Sequence, residues 1–263
     1  MIFKQGDLVT RKSYNNDVIF RIKEIIDDNA ILIGLNVRLY ADANVDDLQA
    51  YETNEDEQTE DDDSFIPKMR EYFELDRSEY FYLPGRILHI DGDENYLKRC
   101  LGFYKRGSVN AYGLHIKEEE IHNKLQGLLN DLKPDILVIT GHDAYYRKKG
   151  QQEDLNSYKN TNNFLRAIQV ARNYEKAHDK LIVIAGACQS NYEALIKAGA
   201  NFASSPKRLN IHALDPAIIA LTVSLSDKSK DIDLLGILEK TKYGAAGIGG
   251  IITKGTMYVG YPR

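Results

Sequence analysis

The stretch Leu181-Ile-Val-Ile-Ala-Gly-Ala-Cys188-Gln-Ser190 decides how the chain reads. Leu181, Ile182, Val183 and Ile184 form a short apolar run without alternation, the pattern of a strand buried on both faces of a parallel sheet. The small residues Ala185, Gly186 and Ala187 let the backbone turn tightly, and Asn191-Tyr-Glu-Ala-Leu-Ile-Lys-Ala198 follows with helical spacing. Cys188 is thereby predicted at the carboxyl edge of the sheet, where open α/β proteins hold their ligands. It is also predicted near a helix N-terminus, which favours a thiolate.

Asp135-Ile-Leu-Val-Ile-Thr-Gly-His142-Asp-Ala144 has the same shape: an apolar strand, a Gly, then one reactive side chain. His142 lies 46 positions before Cys188. A single Cys in an apolar strand is ordinarily an inert small hydrophobe, and a single His a hydrogen-bonded structural residue. The repeated pattern makes the pair a candidate base and nucleophile, because two equivalent strand ends bring imidazole and thiol to one sheet edge.

At 263 residues the chain holds one large core, or a medium domain with a small one. An apolar fraction of 43% with 28% charged residues is that of a soluble globular protein. Two cysteines, Cys100 and Cys188, are too few for a disulfide scaffold and point to a reducing compartment. The first residues lack the apolar run of a signal peptide, and no run of about 18 apolar residues exists. A cytoplasmic location is therefore expected, with neither membrane nor nucleic acid as partner. The net charge of −5 is uneven: residues 51–63 carry eight acids and no base, which leaves the remainder at +3. Such a like-charge block is expected to be a disordered linker.

Residues 1–50 read as short strands punctuated by Asn15-Asn16 and Asp27-Asp28-Asn29, with Val37-Arg-Leu-Tyr-Ala41 as the last strand. A small SH3-like β-barrel is expected there, as a separate unit delivering the rest of the chain to its targets. Residues 51–82 are expected to be the acidic linker followed by an aromatic-rich packing arm from Phe65. Residues 83–263 alternate strand and helix, which implies an α/β domain with a mostly parallel sheet and helices on both faces. Residues 216–225 fit either a strand or a helix, and residues 248–259, with Lys254-Gly255 at their centre, fit a closing hairpin.

A Cys-His pair on a parallel sheet suits acyl transfer through a thioester, with His142 as the proton carrier. Backbone N–H groups at Cys188 and Asp143 are the expected oxyanion donors. Asp143 is either a turn former or a group facing His142 or the substrate. Asp91 and Asp93 end the first strand of the domain, and His89, His115, His122 and His178 show no ligand spacing, so neither metal nor cofactor is expected. Gly186-Ala-Cys-Gln-Ser190 also approaches a G-x-C-x-G nucleophile elbow, in which the base follows the Cys. That alternative is an amidase or amidotransferase-like hydrolase using His212. A third reading is a non-catalytic α/β binding or scaffold protein.

Several long motifs carry a resemblance: Arg11-Lys-Ser-Tyr14, Leu88-His-Ile-Asp-Gly-Asp-Glu94, Pro134-Asp-Ile-Leu-Val-Ile-Thr-Gly-His-Asp-Ala-Tyr145, Ala185-Gly-Ala-Cys-Gln-Ser190, Ala198-Gly-Ala-Asn-Phe-Ala-Ser-Ser-Pro206 and Asn210-Ile-His-Ala-Leu-Asp-Pro216. Over nearly its whole length the chain resembles the YabG family, sporulation-specific cysteine proteases that process proteins of the spore coat and cortex. More distantly it resembles the caspase, gingipain and legumain clan. The resemblance implies a caspase-like fold, a His142–Cys188 dyad, coat and cortex protein substrates, and action on the mother-cell side of a sporulating cell in association with the coat. It departs from the clan in having Asp143 where Gly usually follows the His. In that clan the strand after the cysteine borders the pocket for the residue before the cleaved bond, which implicates Phe202, Ser204 and Ser205. Pocket carboxylates from Asp91, Asp93 and Asp143 would favour Arg there.

Overall fold

The computed structural model describes residues 3–52, 61–76 and 78–261. Five strands, β1 (Leu8–Arg11), β2 (Phe20–Ile26), β3 (Asn29–Gly34), β4 (Tyr40–Asn44) and β5 (Leu48–Ala50), form an antiparallel sheet in the order β4-β3-β2-β1-β5. Asp27, at φ 53°, starts the two-residue turn that joins β2 to β3, since Ile26 pairs with Asn29. The expected N-terminal strands are therefore present. The edge strands β4 and β5 do not pair with each other, so hydrogen bonding does not close the sheet into a barrel. The expected strand at 37–41 begins only at Tyr40; residues 35–39 leave the sheet as a finger closed at its base by the Gly34 amide on the Leu39 carbonyl (2.9 Å).

The second sheet contains β7 (Ile87–Asp91), β8 (Ala111–His115), β9 (Ile136–Thr140), β10 (Ile182–Ala185), β11 (Phe202–Ser204) and β12 (Ile248–Gly250) in the order β12-β11-β10-β9-β7-β8. All neighbours are parallel except β11 and β12. Alternate strand residues face two helical layers, as the two-residue period of a strand requires. Leu88, Ile90, Leu137, Ile139, Val183 and Ala185 share a core with α2 (Glu118–Leu132), α3 (Thr161–Tyr174) and α4 (Tyr192–Lys197). Ile87, Ile136, Val138, Ile182 and Ile184 share the other with α1 (Glu94–Arg106), α5 (Asp215–Ser224) and α6 (Leu234–Glu239). This second core runs on into Val9, Phe20, Ile22 and Leu32 of the first sheet. No helix among the described residues is long and apolar enough to cross a membrane.

One open choice is resolved and two expectations need correction. Of strand or helix, residues 215–224 take the helix, buried along its whole length; with no polar face it carries no helical period, which is why its sequence fits either element. Residues 248–259 are not a hairpin, because β12 pairs with β11 while β13 (Tyr258–Gly260) pairs with β6 (Phe81–Leu83) in a separate two-stranded sheet. Within the acidic stretch, residues 53–60 lie outside the described residues, but Asp61, Asp62 and Asp63 are docked rather than free. They pair with Lys242 (2.9 Å), Arg99 (2.6 Å) and Arg106 (2.6 Å), cations too far along the chain for local charge density to reveal. In the arm that follows, Phe65 and Met69 are buried in the core.

Candidate active site

The chain runs from β7 outward to β8, then returns across β7 to β9 and on to β10 and β11. The strand order thus reverses between β7 and β9, and the crevice at the carboxyl ends of those strands is where a doubly wound sheet offers a binding site. Asp91 ends β7, Thr140 ends β9 opposite it, and His142 follows two residues later. Ile182 to Ala185 of β10 align with Ile136 to Ile139 of β9, so Cys188 leaves the same edge one strand away. At Gly186, φ is +106° and an added Cβ would lie 2.8 Å from Leu195 Cδ1, so the turn that presents Cys188 requires glycine.

Both reactive side chains are buried. Cys188 is 0% exposed; its Sγ accepts from the Ile211 amide at 3.1 Å and faces the Ile211 carbonyl at 3.6 Å. Burial pushes its thiol well above the ordinary cysteine range, against the smaller effects of the Ile211 amide and Arg38. His142 is 5% exposed. Its Nε2 makes no hydrogen bond and lies 3.6 Å from Asp93 Oδ2; its Nδ1 lies 3.9 Å from Glu118 Oε1, which accepts from the His142 amide at 2.9 Å. Burial lowers the imidazole pKa to about 4, although Asp93 and Asp91 oppose it. Thiol and imidazole are accordingly both neutral near pH 7 and are not hydrogen-bonded to each other. Glu118 was not legible as a site residue, but a Cβ at Gly92 or Gly141 would come within 2.3 Å of its carboxylate. Those two glycines at neighbouring strand ends were the signal.

The Asp143 side chain does not face the crevice. Its carboxylate accepts from the amides of Ala144 (2.9 Å) and Asn160 (2.7 Å) and from the hydroxyls of Thr161 (2.5 Å) and Ser190 (2.8 Å), tying the two reactive loops together. Phe202 and Ser204 are buried in β11, Phe202 as part of the core, and Ser205 Oγ accepts from the Gln189 amide (2.9 Å) and donates to the Leu209 carbonyl (2.6 Å). Ser205 thus holds the turn after Cys188. His212 is engaged elsewhere: Nδ1 accepts from the Leu214 amide (3.2 Å), Nε2 meets Asp61 at 2.8 Å, and the ring packs on Phe65. Both its ring nitrogens are thus engaged by partners other than Cys188, which weighs against the amidase-like alternative.

Asp91 is the carboxylate that meets a cation. Its Oδ2 accepts from Arg38 Nη1 (2.7 Å) and Thr140 Oγ1 (2.8 Å) and lies 3.4 Å from His89 Nε2, and its Oδ1 accepts from the Asp93 amide (2.9 Å). The other Arg38 nitrogens donate to the Ala213 carbonyl, Nε at 3.2 Å and Nη2 at 2.8 Å. Cys100 Sγ lies 3.6 Å from Nη2, and the Tyr96 ring centroid is 4.9 Å from the guanidinium carbon. Arg38 and Asp91 are both fully buried. Burial disfavours the Asp91 charge and is the largest single effect, but Arg38, His89 and the Asp93 amide together outweigh it and hold the carboxyl below its usual range. Nothing local in the sequence marked Arg38, Tyr96 or Cys100 as parts of this pocket.

The lowered His142 pKa has a consequence for stability. In the unfolded chain the imidazole titrates near 6.5 and in the folded protein near 4, so between these values the unfolded state binds more protons. The His142 contribution is full above about pH 6.5 and is lost as pH falls towards 4, by on the order of 3 kcal/mol. Glu118, whose pKa burial raises, contributes with the opposite sign, so the comparison is between wild type and His142→Gln. Urea unfolding at pH 7 and pH 4.5 should show the wild type losing ground relative to the variant; parallel losses would refute the assignment.

The same chain, compared with known proteins, matches the family model described as YabG peptidase U57 over residues 4–262. It is also 42% identical over 286 aligned residues to the protein described as sporulation-specific protease YabG of Bacillus subtilis (strain 168), with 100% of this chain and 99% of that relative covered. A family model spanning nearly every residue and a full-length relative at that identity agree, and the chain belongs to the YabG U57 family of peptidases.

Proposed function

We propose that this peptidase is a cysteine endopeptidase that cleaves after arginine, using Cys188 and His142, and that it processes spore coat and cortex proteins in the mother-cell cytoplasm. The sporulation role follows from the relative's name and the family match. The observation that carries the chemistry is the guanidinium pocket on Asp91, set at the same crevice as the two reactive strand ends. Arg supplies several donors in a fixed fork, which a carboxylate oxygen and the Ala213 carbonyl can share, whereas Lys offers a point charge on a flexible stem. The caspase-like reading of the domain is supported by the doubly wound sheet, with His and Cys in the turns that follow adjacent parallel strands.

In this reaction the imidazole of His142 takes the thiol proton, and the Cys188 sulfur attacks the carbonyl carbon of the substrate Arg. The amides of Cys188 and Asp143 receive the oxyanion. Collapse breaks the C–N bond, and the imidazolium gives its proton to the departing amine. Water, deprotonated by His142, then attacks the thioester, releasing the new carboxylate and restoring the thiol. Glu118, which accepts from the His142 amide, positions the residue through its backbone. Cleavage of a peptide library by the full-length protein should show Arg before the cut bond in nearly all products. A preference for acidic or apolar residues there would overturn the pocket assignment.

A further inference from the structure

Resting on the reading just given, we propose that residues 35–39 of the N-terminal sheet are a built-in occupant of the substrate cleft: Arg38 fills the specificity pocket as a substrate Arg would, and the folded chain is latent until this finger is displaced.

The finger binds with the main-chain pattern of an added strand. The Arg38 amide donates to the Ile211 carbonyl (3.2 Å) and the Ala213 amide to the Asn36 carbonyl (2.9 Å), bracketing an antiparallel bridge between Val37 and His212. On the other side Leu39 pairs with Asp143 in a parallel bridge, and the Tyr40 amide donates to the Asp143 carbonyl (3.3 Å). The Cys188 amide donates to the carbonyl of Arg38 itself (3.2 Å). In a parallel bridge of this register the Asp143 amide also faces that carbonyl. The Arg38 carbonyl therefore sits between the two amides assigned to the oxyanion, with its side chain on Asp91. One residue thus holds both positions that a scissile Arg needs.

The finger is held down over a buried site. The Tyr96 hydroxyl donates to the carbonyls of Gly34 and Val37, holding the finger against α1, and Cys188 and His142 are both buried, Cys188 with its amide on the Arg38 carbonyl. The polar partners of the Arg38 side chain, Asp91 and Ala213, lie outside its own sheet. A cleft of about 490 Å³ borders Gly34 and Leu35 on the side of Asp93, Tyr96 and Arg99, which gives the finger room to swing. A substrate Arg replaces Arg38 on Asp91 without leaving that carboxylate unpaired, so exchange by a guanidinium is favoured over simple opening.

Two variants and one measurement on the unaltered chain test this. Arg38→Ala empties the pocket. Gly34→Ala disturbs the finger without touching the pocket, because a Cβ at Gly34 would lie 2.3 Å from the Val37 carbonyl oxygen. In each full-length variant, with intact mass verified, hydrolysis of a short fluorogenic Arg peptide and alkylation of Cys188 by iodoacetamide should both rise about tenfold or more. For the wild type, an Arg-containing peptidyl chloromethyl ketone should label Cys188 and at the same time remove the hydrogen-exchange protection of residues 36–40. Folded variants no faster than wild type with an equally shielded thiol, or Cys188 labelled while residues 36–40 stay protected, would overturn the latch and make Arg38 a structural strut. Labelling elsewhere than Cys188 would instead refute the cysteine-peptidase reading on which the latch rests.

Discussion

Replacing Cys188 by Ala is expected to abolish proteolysis, lowering kcat/KM by about four orders of magnitude or more, while leaving the fold intact. The thiol's hydrogen-bond contacts are the Ile211 amide and carbonyl, with no polar side chain among them, and the smaller Ala fits the space it leaves. Loss of a hydrogen bond to sulfur and a small cavity should cost on the order of 1 kcal/mol. His142→Ala should be as inactive as Cys188→Ala, and the double variant no worse than either, because base and nucleophile act as a unit. Substrate cleavage followed by mass spectrometry, with thermal melting as the control for folding, decides the matter. A folded Cys188→Ala protein that still cleaves would end the assignment.

The largest effect on stability is expected at Asp91. Asp91→Ala leaves the Arg38 guanidinium in a site with no exposure, keeping the Ala213 carbonyl but losing its counter-ion, and it also deprives Thr140 and the Asp93 amide of their acceptor. Removing one partner of a buried ion pair costs about 3–5 kcal/mol. In a chain of this size that corresponds to a melting temperature lower by roughly 6–20 °C. Arg38→Ala with Asp91→Ala should be less damaging than the sum of the single changes, since the second removes a charge the first has stranded. Additive losses in that cycle would show that the two side chains do not stabilise each other. The cost also bears on the latch: a finger that withdraws with nothing replacing it exposes the same unpaired carboxylate, which keeps the closed form dominant until an Arg arrives.

Much of the architecture is local in origin, and so the sequence by itself determined it. A strand buried on both faces reads as an unbroken apolar run whatever surrounds it, which is why β9 and β10 stand where Asp135-Ile-Leu-Val-Ile-Thr140 and Leu181-Ile-Val-Ile-Ala185 place them. A turn that admits only glycine announces itself at Gly186, and helix α1 starts at the acid that caps it, Asp93. Together these put His142 and Cys188 at one sheet edge. What occupies that edge was decided only in three dimensions. Arg38 is separated by 53 positions from Asp91 and by 175 from Ala213, and neither distance leaves a period or motif in the chain. The acids at 61–63 look like a solvated run until Lys242, Arg99 and Arg106 are brought beside them. Helix α5 and strands β12 and β13 likewise take their form from packing and pairing with distant elements. Periodicity and turn chemistry act over a few residues, whereas desolvated charge and strand pairing act across the fold; the first made the reactive strand ends legible, and the second set an arginine of the chain's own upon them.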